Sequence, residues 1–161
     1  MELIEVFVEG IALDKENQHP VVLIKSREGS EALPIWIGPA EATAIYTILA
    51  GKTFERPMTH DLMRIIVDVL GATIDKIEIT GIHEDTYFAR IVLRKDEEIF
   101  YVDARPSDSL ALALRSDAPI YVDSELFNKY KRNLKMGDEA DDDIKERLKE
   151  LDPGDFGNLD F

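Results

Sequence analysis

Residues 87–115 read YFARIVLRKDEEIFYVDARPSDSLALALR: two alternating runs, a proline-bearing polar stretch and an apolar run. Tyr87, Ala89, Ile91 and Leu93 alternate with Phe88, Arg90, Val92 and Arg94. Alternation of period two gives a strand with one packed and one wetter face. Lys95-Asp96-Glu97-Glu98 is a polar turn, and Ile99-Phe100-Tyr101-Val102 returns as a second strand. Asp103-Ala104-Arg105-Pro106-Ser107-Asp108-Ser109 ends the alternation and leads into a helix from Leu110 to Arg115. Ile77 and Ile79 share a face of a preceding strand, which makes this half a meander followed by a helix.

The N-terminal half has a similar plan. Residues 2–13, 20–27 and 32–37 are predicted strands, with turns at 14–20 and 28–30. In the first strand Ile4, Val6 and Val8 lie on one face and Leu3, Phe7 and Ile11 on the other, which predicts burial on both sides over part of its length. Gly38-Pro39 stops the third strand. A helix over 40–50 follows, with Ala44, Ile45, Ile48 and Leu49 on one face. Arg56-Pro57-Met58-Thr59-His60-Asp61 is a loop into a second helix over 59–70, with Thr59 as N-cap and Leu62, Met63, Ile66, Val67 and Leu70 as its buried stripe. Beyond residue 115 the reading is a short strand at 119–122, a short helix at 124–130 and a charged, barely amphipathic helix at 138–150. No residue-level repeat relates the halves. The expected fold is α+β: a mostly antiparallel sheet built from two meanders, with about three helices (40–50, 59–70 and 107–115) packed on it. The expected domain is 1–136, followed by an acidic helix and flexible tail at 137–161.

The chain has 161 residues and is 45% hydrophobic, enough for one domain with a real core. It contains no cysteine, which excludes disulfides, thiolate nucleophiles, Cys-ligated zinc and iron–sulfur clusters. Acids at Glu2 and Glu5 are unlike a secretory leader, and no stretch reaches the ~20 apolar residues of a membrane span. The expected location is the cytoplasm. One glutamine and four asparagines beside 32% charged residues fit a protein of a hot habitat. The net charge is −14, and residues 137–161, with ten acids and three bases, carry half of it. The body is therefore acidic too. Nucleic-acid binding, which usually releases counterions from phosphates through Lys and Arg, would need a local arginine cluster or a divalent metal.

Three loops that start helices carry the polar groups for such chemistry. Helix N-termini suit anions, so Thr59 and Ser107 are candidate anion-binding residues. Arg56 and Arg105 could clamp a phosphate. Asp61, Asp103, Asp108 and Glu41 are hard oxygen donors for Mg²⁺ or Mn²⁺, and His60 could activate water. Ordinary helix-start chemistry competes for every one of these residues: caps, first-turn acids and a proline at the first position. Trp36 fits a core or an interface. His19 and His83 sit at turns or strand ends. There is no Walker loop, dinucleotide glycine pattern, HExxH or GxSxG.

Three motifs in order, Leu33-Pro34-Ile35-Trp36-Ile37-Gly38-Pro39-Ala40-Glu41-Ala42, Arg56-Pro57-Met58-Thr59-His60-Asp61-Leu62 and Asp103-Ala104-Arg105-Pro106-Ser107-Asp108-Ser109-Leu110 with Ala118-Pro119-Ile120, resemble the bifunctional nuclease domain family along roughly residues 1–135. The resemblance implies DNase and RNase activity, and the expected function is a low-specificity, metal-dependent nuclease. The alternative is a non-catalytic oligomeric module that binds a small anion or a protein partner. A homodimer or small ring is expected, because the apolar strand surface exceeds what one helix layer covers.

Overall fold

The computed structural model describes residues 1–14 and 18–133. The helix expected at 138–150 and the tail lie outside the described residues. The elements, in order, are β1 (Leu3–Leu13), β2 (Pro20–Ser26), β3 (Ala32–Trp36), α1 (Pro39–Leu49), α2 (Thr59–Val69), β4 (Thr73–His83), β5 (Thr86–Lys95), β6 (Glu98–Ala104), α3 (Pro106–Ser116), β7 (Ile120–Asp123) and α4 (Ser124–Tyr130).

The strands form a single seven-stranded sheet in the order β3-β2-β1-β7-β4-β5-β6. This corrects the expected architecture. The sheet is mixed, because β7 runs parallel to β4 through Ile77–Ile120, Glu78–Tyr121 and Ile79–Val122. There are four helices among the described residues, not about three. The cause is β7 itself: its four residues seat between β1 and β4, antiparallel to the first and parallel to the second.

Each half of the chain runs through three strands and then a helix that starts on proline: Pro39 for α1 and Pro106 for α3. α1 packs on β1 and β2, α3 packs on β4 and β5, and α3 touches both α1 and α2. The core lies between helices and sheet. Val6, Val8, Ile11, Ile24, Leu33, Ile77, Ile79, Ile91 and Val122 meet Ile45, Leu110, Leu112 and Phe127 there. Each such side chain contributes ~1.5–3 kcal/mol by leaving water. α3 is the central helix, with seven of its eleven residues buried.

Two apolar patterns resolve differently from the expectation. β1 buries Val6, Val8 and Ile11 on one face, and on the other Ala12 is partly buried against Val21, Leu23 and Ala32. Its register with β2 shifts between Val8 and Gly10, and this bulge turns Ile11 to the same face as Val6 and Val8. Phe7, left on the other face, is 45% exposed. The stripe of α2 is not buried. No residue of α2 is buried, and Leu62, Ile66, Val69 and Leu70 are exposed. The helix begins at Thr59 with Met58 as N-cap, so Thr59 does not cap it. Gly51 and Gly71, at φ +63° and +74°, follow the ends of α1 and α2 in the left-handed conformation that favours glycine. Trp36 is half exposed, and its indole N–H donates to Asp14 Oδ2 at 3.0 Å.

Candidate active site at three helix N-termini

α1, α2 and α3 each carry an acid in the first turn: Glu41, Asp61 and Asp108. Such a carboxylate faces the positive end of the helix dipole. The fold then gives each of the three an arginine. Arg105, just before α3, donates from Nε to Asp108 Oδ2 at 2.8 Å and from a terminal nitrogen to Glu41 Oε1 at 2.8 Å. Arg115, in the last turn of α3, donates to Asp61 Oδ1 at 2.6 Å. Gly38 leaves the space that the Glu41 carboxylate fills, since a Cβ there would collide with it.

His60 closes the arrangement. Its Nε2 lies 3.0 Å from Asp108 Oδ1. An ionised carboxylate only accepts, so Nε2 carries the proton and Nδ1 of the neutral ring is left as an acceptor. Nδ1 has no hydrogen-bond partner among the described residues. Burial pushes the Asp108 carboxyl up, but hydrogen bonds from Arg105 and then His60 outweigh it and hold the group below its ordinary value. Hydrogen bonding to Asp108 and to Glu41 raises Arg105 above its ordinary value. Asp108 is therefore a carboxylate throughout the neutral range, and Arg105 a cation.

These groups rim a cleft of about 440 Å³, within the size range of small-ligand sites. Its wall is apolar and aromatic, with Ala44, Tyr46, Phe54 and Met58, and Lys52 lies 5.5 Å over the Tyr46 ring. Glu41, Thr59, His60, Arg105 and Asp108 all border this cleft.

The other sequence-predicted residues stand apart. Asp61 also accepts from the Met58 backbone N–H at 2.9 Å, so it is spent on the start of α2 and on Arg115. Asp103 lies on the opposite face of the sheet, paired in register with Arg90, and borders a different groove with His83 and Tyr101. The alternation along β6 explains this, since Asp103 and Ala104 point opposite ways. Arg56 is exposed in the loop before α2 and is not among the residues that border the cleft. Ser107 is buried and faces the neighbouring groove beside Trp36 and Tyr87.

The four acids therefore do not converge, and no group of three or more His, Asp or Glu among the described residues is arranged to hold a metal ion. The pair that does converge, Glu41 and Asp108, shares Arg105 as its counter-charge. As arranged, this donor set does not fit Mg²⁺ or Mn²⁺.

Sequence reasoning missed Arg115, whose side chain is 6% exposed and which also reaches Ala111 O and Thr47 Oγ1. A cation in the last turn of an apolar helix reads as dipole chemistry. Lys52, Tyr46 and Phe54 were also missed, because no local pattern marks a wall assembled from a helix and the loop after it.

Residues 21–135 match the bifunctional nuclease domain. The chain belongs to the bifunctional nuclease domain family. Family members over nearly the whole length include an uncharacterized protein of Mycobacterium tuberculosis strain H37Rv, 35% identical, with 94% of this chain and 97% of that one aligned. Bifunctional nuclease 1 of Arabidopsis thaliana is 27% identical over 67% of this chain and 34% of its own length. Bifunctional nuclease 1 of Oryza sativa subsp. japonica is 26% identical over 73% of this chain and 36% of its own. This family member therefore spans about a third of those plant proteins. Among its described residues no helix is long and apolar enough to cross a membrane.

Proposed function

We propose that the cleft hydrolyses phosphodiester bonds of single-stranded DNA or RNA. The observation that carries this reading is the His60–Asp108 contact beside Arg105. Asp108 fixes the His60 tautomer, so Nδ1 takes the proton of the attacking water; the water oxygen bonds to phosphorus as the bridging P–O bond to the leaving nucleoside breaks, and the imidazolium returns the proton to that leaving oxygen. Arg105 turns from Glu41 toward the phosphate, and its planar fork suits two phosphate oxygens. Tyr46 and Phe54 receive a base, for which stacking supplies ~1–3 kcal/mol. An acidic chain repels an extended polyanion, so engagement of one nucleotide with one arginine suits its charge better than a long basic track.

The hydrolysis uses the chain's own groups. Mg²⁺ and Mn²⁺ enter as arms of the assay. Rigorously purified protein is incubated with single-stranded DNA and RNA, with and without each metal and with a chelator, beside His60→Ala and Asp108→Ala. A general-base histidine predicts a ~10²–10⁴-fold loss in turnover for His60→Ala. Equal cleavage by the wild type and both variants would assign the activity to a contaminant and leave anion or partner binding as the function of the cleft.

A further inference from the structure

The two edges of the sheet are treated differently. The β3 edge is short and carries Pro34, and its Ala32 exchanges two backbone hydrogen bonds with Arg132. Proline, brevity and a covering segment are the devices that stop an edge from pairing with another chain. β6, the other edge, has none of them among the described residues. It pairs with β5 along all seven residues without a register shift. It contains no proline, glycine or lysine. Ile99, Phe100, Tyr101 and Val102 are 44%, 45%, 62% and 42% exposed, which leaves large apolar groups uncovered on both faces of the strand.

We propose that β6 docks against β6 of a second copy of this chain, antiparallel about a two-fold axis at Tyr101. Two features of the strand favour a second copy over another partner. One is charge. Each copy carries −14, but residues 86–105 hold four bases and four acids, so this hairpin is the locally neutral approach for two acidic molecules. The other is self-complementarity. A two-fold at Tyr101 sets Phe100 opposite Val102, Ile99 opposite Asp103 and Glu98 opposite Ala104. No acid then faces an acid, and the apolar residues meet at the centre. Moving the axis to Phe100 would set Glu97 opposite Asp103. The Arg90 guanidinium, 4.7 Å over the Tyr101 ring, holds the central side chain from its own sheet. The cleft at the helix N-termini takes no part in this contact.

The test uses the full chain. Light scattering at ~100 µM should give twice the 18.3 kDa chain mass, and Tyr101→Lys should give a monomer with an unchanged circular dichroism spectrum. The chain has no cysteine, so single introduced thiols report the register. Opposed residues of an antiparallel pair have Cα atoms ~4.5–5.5 Å apart, inside the ~4.4–6.8 Å reach of a disulfide. Tyr101→Cys should cross-link to a dimer on mild oxidation, while Phe7→Cys, exposed on the same face of the sheet, should not. A monomeric wild type overturns the proposal. So does a dimer that survives Tyr101→Lys but is lost in Ile66→Glu on α2, or a folded Tyr101→Cys that cross-links no faster than Phe7→Cys. If Tyr101→Lys does not fold, the thiol pair decides.

Discussion

Glu78 is 2% exposed in the middle of β4, on the sheet face opposite the four described helices, with Lys76 Nζ at 2.7 Å and the Arg90 guanidinium on its other oxygen. Burial pushes its carboxyl up, but the hydrogen bonds from Lys76 and Arg90 outweigh this and leave it below the ordinary carboxylate value. Glu78→Gln keeps the shape and removes the charge. Losing one partner of a fully buried ion pair costs ~3–5 kcal/mol. Here Lys76 and Arg90 are each about a third exposed and can turn to water, so the screened cost is ~2–3 kcal/mol. In a chain of 161 residues that lowers the unfolding midpoint by ~5–10 °C. The pH dependence carries the sign. A carboxyl whose folded pKa is depressed contributes fully above its unfolded value, ~4.3 for Glu, and loses the contribution as pH falls through the folded value. Urea unfolding of wild type and variant from pH 7 to pH 3 should show a gap that closes with acid. A gap within 0.5 kcal/mol at pH 7, or one that does not change with pH, would refute an ionised Glu78.

Asp108→Asn should weaken the hold on His60. It should lower turnover without unfolding the protein, and its own stability deficit should likewise shrink as pH falls through the depressed carboxyl value. Gly38→Ala should push Glu41 away from Arg105, which frees the guanidinium that the phosphate must capture from Glu41, so KM should fall with a nearly unchanged melting curve. Arg115→Met removes the buried partner of Asp61 and should cost ~1–3 kcal/mol by thermal unfolding, with no direct effect on chemistry beyond the position of α2. Truncation after Met136 should leave a soluble, cooperatively folding protein, because the removed segment is sparse in apolar residues and self-repelling. Loss of soluble expression would refute this.

The strands and helices were legible where the pattern is local: the alternation of Tyr87–Arg94, the stop at Gly38-Pro39, the proline start at Pro106. What eluded the pattern depends on residues far apart in sequence. Four residues at Ile120–Asp123 do not state whether they pair parallel or antiparallel, since both neighbours lie more than forty positions upstream. The bulge near Glu9 reversed the face of Ile11, and an alternation read straight through it places that side chain on the wrong side. At the site, His60, Asp108, Arg105 and Glu41 could be picked out because helix starts concentrate such groups, yet which acids meet was set by tertiary packing. Asp103 is two residues from Arg105 in the chain and on the other face of the sheet. Arg115 could have been sought as the partner that Asp61 requires, but a helical cation offers several partners and the sequence ranks none of them.

The place of β7 between the two meanders also orders events during synthesis. Either meander can form from neighbouring segments, but β1 and β4 touch no common strand until residues 120–123 have been made. At ~5–20 residues per second, the first hairpin waits ~5–20 s after Ser26 with the inner side of β1 unpaired. The last contact also closes a loop of nearly the whole domain, Leu3 to Asp123, whose closure entropy grows only logarithmically with length. Assembly is therefore delayed far more by the arrival of β7 than by the entropy of closing that loop. A ribosome paused with Ile120–Asp123 still inside its exit tunnel would hold out two half-sheets whose open edges are the ones that β7 is built to fill.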